Sequence, residues 1–149
     1  MQTIKLIEIS KSFKSKKALN NVNIEFKSNR INGLLGPNGS GKTTLFNIVA
    51  GFLSPDDGKI ILDKEILNDK NLSIRTKLGI SYLPQEASIF RDLSVHDNIF
   101  AIAELFHNKK NSIKITESLI KQFSLGNFQS TKGKLLSGGE RRRAEIARA

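Results

Sequence analysis

The stretch Gly36 to Thr44 reads Gly-Pro-Asn-Gly-Ser-Gly-Lys-Thr-Thr and carries the spacing G-x-x-x-x-G-K-[ST] at Gly36, Gly41, Lys42 and Thr43. A triphosphate is a dense polyanion that needs several donors converging on it. Glycines let backbone N–H groups turn inward with no Cβ in the way. Lys42 supplies a mobile point charge for the outer phosphates, and the Thr43 hydroxyl suits Mg²⁺. Pro37, Asn38, Gly39 and Ser40 complete the loop, and Thr44 follows Thr43. A glycine-rich turn that happens to hold a lysine is the bland alternative, so the flanking elements decide.

Such a loop needs a buried strand before it and a helix after it. Arg30 to Leu35 ends in Ile-Asn-Gly-Leu-Leu, an apolar run suited to a buried parallel strand. Leu45, Ile48, Val49 and Phe52 then recur at i, i+3, i+4 and i+7. That spacing predicts a helix whose dipole points its positive end at the phosphates. The chain is expected to bind a nucleoside triphosphate.

A second anion-suited constellation comes later. Ser137, Gly138, Gly139 and Glu140 offer a hydroxyl, two unhindered N–H groups and capping-box spacing, ahead of a helix predicted from about Arg141. A helix cap accounts for Ser137 and Glu140. It leaves Gly138 and Gly139 unexplained, because glycine weakens a first helical turn.

The remaining elements follow from pattern. Thr3 to Ile9 reads as an opening strand bounded by the polar run Ser10 to Lys17, and Val22, Ile24 and Phe26 alternate as a second strand after a turn at Asn20–Asn21. Ser54 to Gly58 is a turn signal, Lys59 to Leu62 a short strand, and Asp63 to Lys77 is ambiguous. Leu78 to Leu83 reads as a strand stopped by Pro84. Ser94, with Asp97 three residues on, opens a helix with Val95, Ile99, Ile102 and Phe106 on one face. Ser112 to Phe123 is predicted as a further helix with Ile113, Leu119, Ile120 and Phe123 apolar, and Gly126 and Gly133 bracket an irregular segment. The fold class is α/β, with a helical portion inserted late.

Among the 149 residues, 24 Lys and Arg stand against 14 Asp and Glu, a net +10. Solvated surface lysine, a membrane-side partner and nucleic acid all fit that surplus. No aromatics interleave the dispersed lysines to stack bases, which places nucleic acid last. There is no cysteine, hence no disulfide framework and no thiolate chemistry. No run approaches the roughly 18 to 20 apolar residues of a membrane span. Met1 to Ser10 mixes Lys5 and Glu8 among its apolar residues, unlike a signal peptide. A cytoplasmic location fits.

Leu136-Ser137-Gly138-Gly139-Glu140 resembles the signature motif of ABC-transporter ATPases. The resemblance implies a P-loop NTPase core with an N-terminal antiparallel β portion and an inserted helical subdomain, incomplete at the C-terminus. The core would cover about residues 1–85, the helical subdomain about 86–135, and the signature with the start of its helix 136–149. ATP and Mg²⁺ are the implied cofactors, held by the loop from Gly36 to Thr44. A homodimer is implied too, in which Ser137, Gly138 and Gly139 of one copy close over the nucleotide of the other. Gln85 matches the glutamine that reaches the metal and the lytic water. Phe13 matches an aromatic that stacks on adenine, with ordinary core packing as its alternative. His96 and His107 match no catalytic position and read as helix-surface residues.

More narrowly, Gly33 to Thr44, Tyr82 to Val95 and Leu136 to Ala149 look like the ATPases of lipopolysaccharide-export transporters. By that resemblance Phe90 and Arg91 line the groove that receives coupling helices of the transmembrane permease subunits, a buried aromatic and a solvated charge being their plain alternatives. The protein would sit peripherally on the cytoplasmic face of the inner membrane, powering lipopolysaccharide extraction, with no nucleic acid expected. Asn108 to Lys134 is lysine-rich and departs from the pattern. The alternatives are an ABC ATPase for another cargo such as an amino acid importer, a soluble ABC ATPase acting on nucleic acid or ribosomes, and a non-catalytic nucleotide-binding remnant. The family's water-polarising glutamate and switch histidine come after its signature helix, so residues 1–149 are expected to be an N-terminal fragment without turnover by itself.

Overall fold

The computed structural model describes residues 2–149 and divides into two compact units, Met1–Ser81 and Tyr82–Ala149. In the first unit, β1 (Thr3–Phe13) pairs antiparallel with β2 (Lys16–Lys27) on one edge and with β3 (Asp57–Leu62) on the other. The short β4 (Glu65–Ile66) closes the order β2-β1-β3-β4. Leu6 and Ile9 both enter the core although they are three apart. Between them Glu8 has φ 54° and the register shifts, a bulge that resets the alternation. Leu19, Ile60 and Leu62 join them against Leu45 and Ile48 of α1 (Lys42–Ala50). Helix α2 (Leu72–Lys77) is capped by Asn71, whose side chain accepts from the Ile74 N–H.

Several boundaries differ from those the sequence suggested. The β1–β2 hairpin turns at Lys14–Ser15, so the polar run Ser10 to Lys17 lies within or between the strands, and Asn20–Asn21 lies inside β2. Solvent meets this end of the hairpin, so polarity carries no turn signal there. Arg30 to Leu35 and Leu78 to Leu83 enter no ladder. A buried parallel strand needs a neighbouring strand to bond with, and neither segment is paired with one among the described residues. Ile31 and Leu35 are accordingly 105% and 93% exposed. Helix α1 ends at Gly51, which takes the left-handed conformation (φ 89°), so Phe52 lies beyond the helix and is half exposed.

The second unit holds α3 (Val95–Ala103), α4 (Lys109–Gln122), two 3₁₀ turns (Gly126–Phe128 and Gly133–Leu135) and α5 (Gly138–Arg148). Its core gathers Ile89, Val95, Ile99, Ile120, Leu125, Leu136, Ala144 and Ala147. Ser94 caps α3 as its spacing predicts, accepting from the Asp97 N–H, but Phe106 falls past the helix end. Helix α4 starts earlier than predicted because Asn108 caps it by accepting from the Asn111 N–H. Its buried face is Ser112, Thr116 and Ile120, while Ile113 is exposed. Helix α5 begins at Gly138, so both signature glycines sit inside its first turn.

Candidate nucleotide-binding site

Helix α1 opens straight out of the glycine-rich loop. Gly41 occupies its N-cap position at φ 88°, ψ 2°, and Gly39 has φ 79°. A Cβ on Gly41 would also stand 2.5 Å from the Ala18 carbonyl oxygen of β2. Glycine is demanded there twice, by the backbone angle and by the close approach of the hairpin. No side chain caps α1, and its first turn contains no acidic residue. The leading N–H groups are therefore left for an anion, with the positive end of the helix dipole behind them.

The Lys42 ammonium donates to the carbonyls of Gly36 and Pro37, each at 2.7 Å. Two of its three donors thus tie the start of the loop to its end, and one is left to reach a phosphate. Ser40 N–H donates to the Pro37 carbonyl at 3.3 Å, closing the turn between them. Asn38, Gly39, Ser40 and Thr43 are exposed. Beneath the loop, Leu19, Val22, Ile24, Leu34 and Leu45 help line a cavity of about 290 Å³. The residues present fit a triphosphate: converging amides, one cation and a hydroxyl on Thr43 at the helix start. Phe13 ends β1 half exposed, with the Lys11 ammonium 5.9 Å from its ring centroid.

The far end of α1 is held by a residue that sequence reasoning missed. Arg75, 1% exposed, donates to the carbonyls of Ile48 (2.5 Å), Leu67 (2.6 Å), Lys70 (2.7 Å) and Val49 (2.8 Å). Its guanidinium faces the negative end of the helix whose positive end faces the loop. Burial lowers its pKa from the ordinary arginine value. An arginine in a short polar helix looks like surface in sequence, and nothing in its spacing marks those carbonyls.

In the second unit, Gln85 follows Pro84 on an exposed segment. Phe90 is half exposed, with the Arg148 guanidinium 4.7 Å above its ring. Both its backbone groups bond the buried Asn98 side chain, N–H to Oδ1 at 2.9 Å and carbonyl from Nδ2 at 3.0 Å. Arg91, Lys134 and Arg141 give a basic lining to a cavity of about 290 Å³ shared with Ala87, Ile89 and Gly133. Ser137 and Glu140 form the capping box: Ser137 N–H donates to Glu140 Oε2 at 2.8 Å, and Glu140 N–H donates to Ser137 Oγ at 3.5 Å. The bond from the Ser137 N–H, with the Ser137 hydroxyl and Arg143 adding to it, lowers the Glu140 carboxyl below its ordinary range. A Cβ on Gly138 or Gly139 would meet nothing within 4 Å. Packing does not require glycine at either position, and both present open backbone. His96 pairs with Asp97 at 3.1 Å and stacks on Phe100, and His107 is exposed. Among the described residues there is no cluster of His, Cys, Asp and Glu that could hold a metal, and no helix is long and apolar enough to cross a membrane.

A left-handed glycine loop, a lysine folded over it and an uncapped helix define a phosphate-loop nucleotide-binding class. The family model for the ABC transporter matches residues 19–149, and the chain belongs to that family. It is 45% identical over 143 residues to the lipopolysaccharide export system ATP-binding protein LptB of Haemophilus influenzae, covering 95% of this chain and 59% of that protein. The LptB protein of Escherichia coli K12 is 41% identical over 152 residues, covering 100% of this chain and 63% of that one. A probable ABC transporter ATP-binding protein of Azorhizobium caulinodans is 43% identical, covering 95% and 50%. The chain thus spans from 50% to 63% of the length of these relatives.

Solved ATP-binding cassettes share the fold. One ABC transporter cassette in its ADP conformation superposes with a TM-score of 0.82 at 27% identity, covering 99% of this chain and 64% of that one. A dimeric bacterial ABC transporter cassette gives 0.83 at 28% identity, covering 97% and 68%. The fold is that of an ABC ATPase cassette, with its antiparallel β portion and helical portion both present.

Proposed function

We propose that the whole protein containing these residues is the ATP-hydrolysing subunit of a transporter that extracts lipopolysaccharide from the inner membrane. The observation that carries nucleotide binding is the loop geometry: left-handed Gly39 and Gly41, Lys42 over the loop, and an uncapped α1. In this reading the amides from Asn38 to Thr44 and the Lys42 ammonium hold the phosphates. Mg²⁺, when bound, would neutralise charge on the outer phosphates, with the Thr43 hydroxyl as a protein contact, and Gln85 keeps the metal-reaching role that the family resemblance implies. Phe13 stacks on the adenine. Ser137, Gly138 and Gly139 complete the site of a second copy, a role supported by glycines that packing does not require. Phe90 and Arg91 meet the permease subunits on the cytoplasmic face, and the basic lining around Arg91 suits an acidic or helix-terminal group. Residues 1–149 by themselves are expected to bind Mg-ATP without turning it over.

The test is Mg-ATP hydrolysis by the whole protein. Lys42→Ala is expected to lower turnover about a hundred-fold or more, in the range seen when one positioned donor is removed. Lys42→Ala and Ser137→Arg chains, each inactive separately, are expected to regain hydrolysis when mixed, since the mixed dimer holds one intact site. Persistent inactivity of the mixture contradicts the shared site. Export from vesicles carrying the membrane subunits, with lipopolysaccharide against an amino acid as cargo, separates the two transport readings.

A further inference from the structure

In the second unit, α5 grips the backbone of the segment ahead of α3. Glu145 is 2% exposed. Its Oε1 accepts from the N–H groups of Ser88 at 2.7 Å and Ile89 at 3.2 Å, and its Oε2 accepts from Arg142 Nη1 at 3.3 Å. The same Arg142 nitrogen donates to the Pro84 carbonyl at 2.9 Å. Arg148 Nη2 donates to the Ser88 carbonyl at 2.8 Å and to its Oγ at 3.1 Å. Arg142, Glu145 and Arg148 recur every three residues, so one stripe of the helix carries all three.

Ser88 and Ile89 belong to no helix or strand. A backbone N–H that no ladder satisfies requires another acceptor when it is buried, and Glu145 is that acceptor. Burying a carboxylate is costly, and an apolar side chain would fill the space more cheaply if packing were the whole need. The gripped segment begins beside Gln85 and ends at Phe90 and Arg91, while the N-terminus of the same helix is the signature cap at Ser137.

We propose that Glu145 is a positioning residue that locks the segment from Pro84 to Arg91 onto the signature helix. A push from a membrane partner on Phe90 and Arg91 then reaches Ser137, Gly138 and Gly139 as the motion of one body. This rests on the roles given to Phe90, Arg91 and the signature in the proposed function. Glu145 touches no nucleotide in this scheme. It acts through the backbone it holds.

The test compares wild type, Glu145→Met and Glu145→Gln in the whole protein assembled with its membrane partners. Methionine fills the space without a hydrogen-bond acceptor of useful strength, and glutamine keeps a carbonyl oxygen for the two N–H groups. Glu145→Met is expected to lower partner-stimulated kcat for Mg-ATP by about five-fold or more, with KM changed by less than about two-fold. Glu145→Gln is expected to restore most of that loss. Amide hydrogen exchange adds a readout on the wild type: Ser88 and Ile89 are expected to exchange slowly despite lying outside regular structure. Wild-type stimulation in Glu145→Met overturns the proposal, as does a raised KM with kcat unchanged. Free-loop exchange at Ser88 and Ile89 in the wild type overturns it too, and decides the matter even if the methionine variant does not fold. A wild-type complex that hydrolyses no Mg-ATP overturns the underlying reading instead, before any variant is made.

Discussion

At the scale of single residues, two kinds of side chain support the site. Gly41 is the visible kind. Its φ of 88° and the Ala18 carbonyl 2.5 Å from a would-be Cβ both oppose alanine. Gly41→Ala is predicted to destabilise the protein by about 1 kcal/mol or more, read by thermal unfolding, and to weaken nucleotide binding in parallel. Arg75 is the hidden kind. Arg75→Met removes a donor from the carbonyls of Ile48, Val49, Leu67 and Lys70, of which Ile48 and Leu67 keep a backbone N–H, from Gly51 and Lys70, and is predicted to cost about 3 kcal/mol in denaturant unfolding. Lysine is a poor rescue, since it lacks the planar fork that reaches several carbonyls at once. Thr116 makes the opposite prediction, because its buried hydroxyl has no partner among the described residues. Thr116→Val is expected to raise stability by about 1 kcal/mol. Gly41 and Lys42 were legible because phosphate chemistry fixes their types and spacing. Arg75, Asn98 and Glu145 were not, since each acts on backbone groups outside regular spacing: Asn98 on a loop four to eight residues before it, Arg75 partly and Glu145 wholly on groups far away in sequence.

At the scale of elements, the capping box of α5 was legible and the start of its helix was not. Ser137 and Glu140 announce the box by spacing, but glycines in the first turn argued for a start near Arg141, and the helix begins at Gly138. Ser137→Ala is predicted to cost about 1 kcal/mol of stability. The box also carries a pH signature. Glu140 has its folded pKa lowered by the Ser137 bonds. Its contribution is therefore present above the ordinary glutamate range and fades as pH falls through the lowered folded value. Glu140→Gln is expected to remove that acid-side dependence, followed by unfolding curves at several pH values. The apolar runs at Arg30 to Leu35 and Leu78 to Leu83 read as strands because composition reports burial, whereas a strand is made by its ladder. Among the described residues neither segment pairs with a strand.

At the scale of the molecule, the residues of the proposed function fall in both units. The first holds the phosphate loop and the α1 dipole. The second holds Gln85, the Phe90–Arg91 segment and the signature, bound together by α5. The net charge of +10 left its partner open in sequence. In the second unit Arg91, Lys134 and Arg141 help line one cavity, with Lys134 paired to Asp92 at 2.8 Å. All of this presupposes that the loop from Gly36 to Thr44 holds a nucleotide. The direct measurement is a titration of the whole protein with Mg-ATP, wild type against Lys42→Ala. Saturable binding of one nucleotide per chain, weakened about ten-fold or more in Lys42→Ala, is the predicted result. Equal binding by the two proteins, or no saturable binding by the wild type, contradicts it.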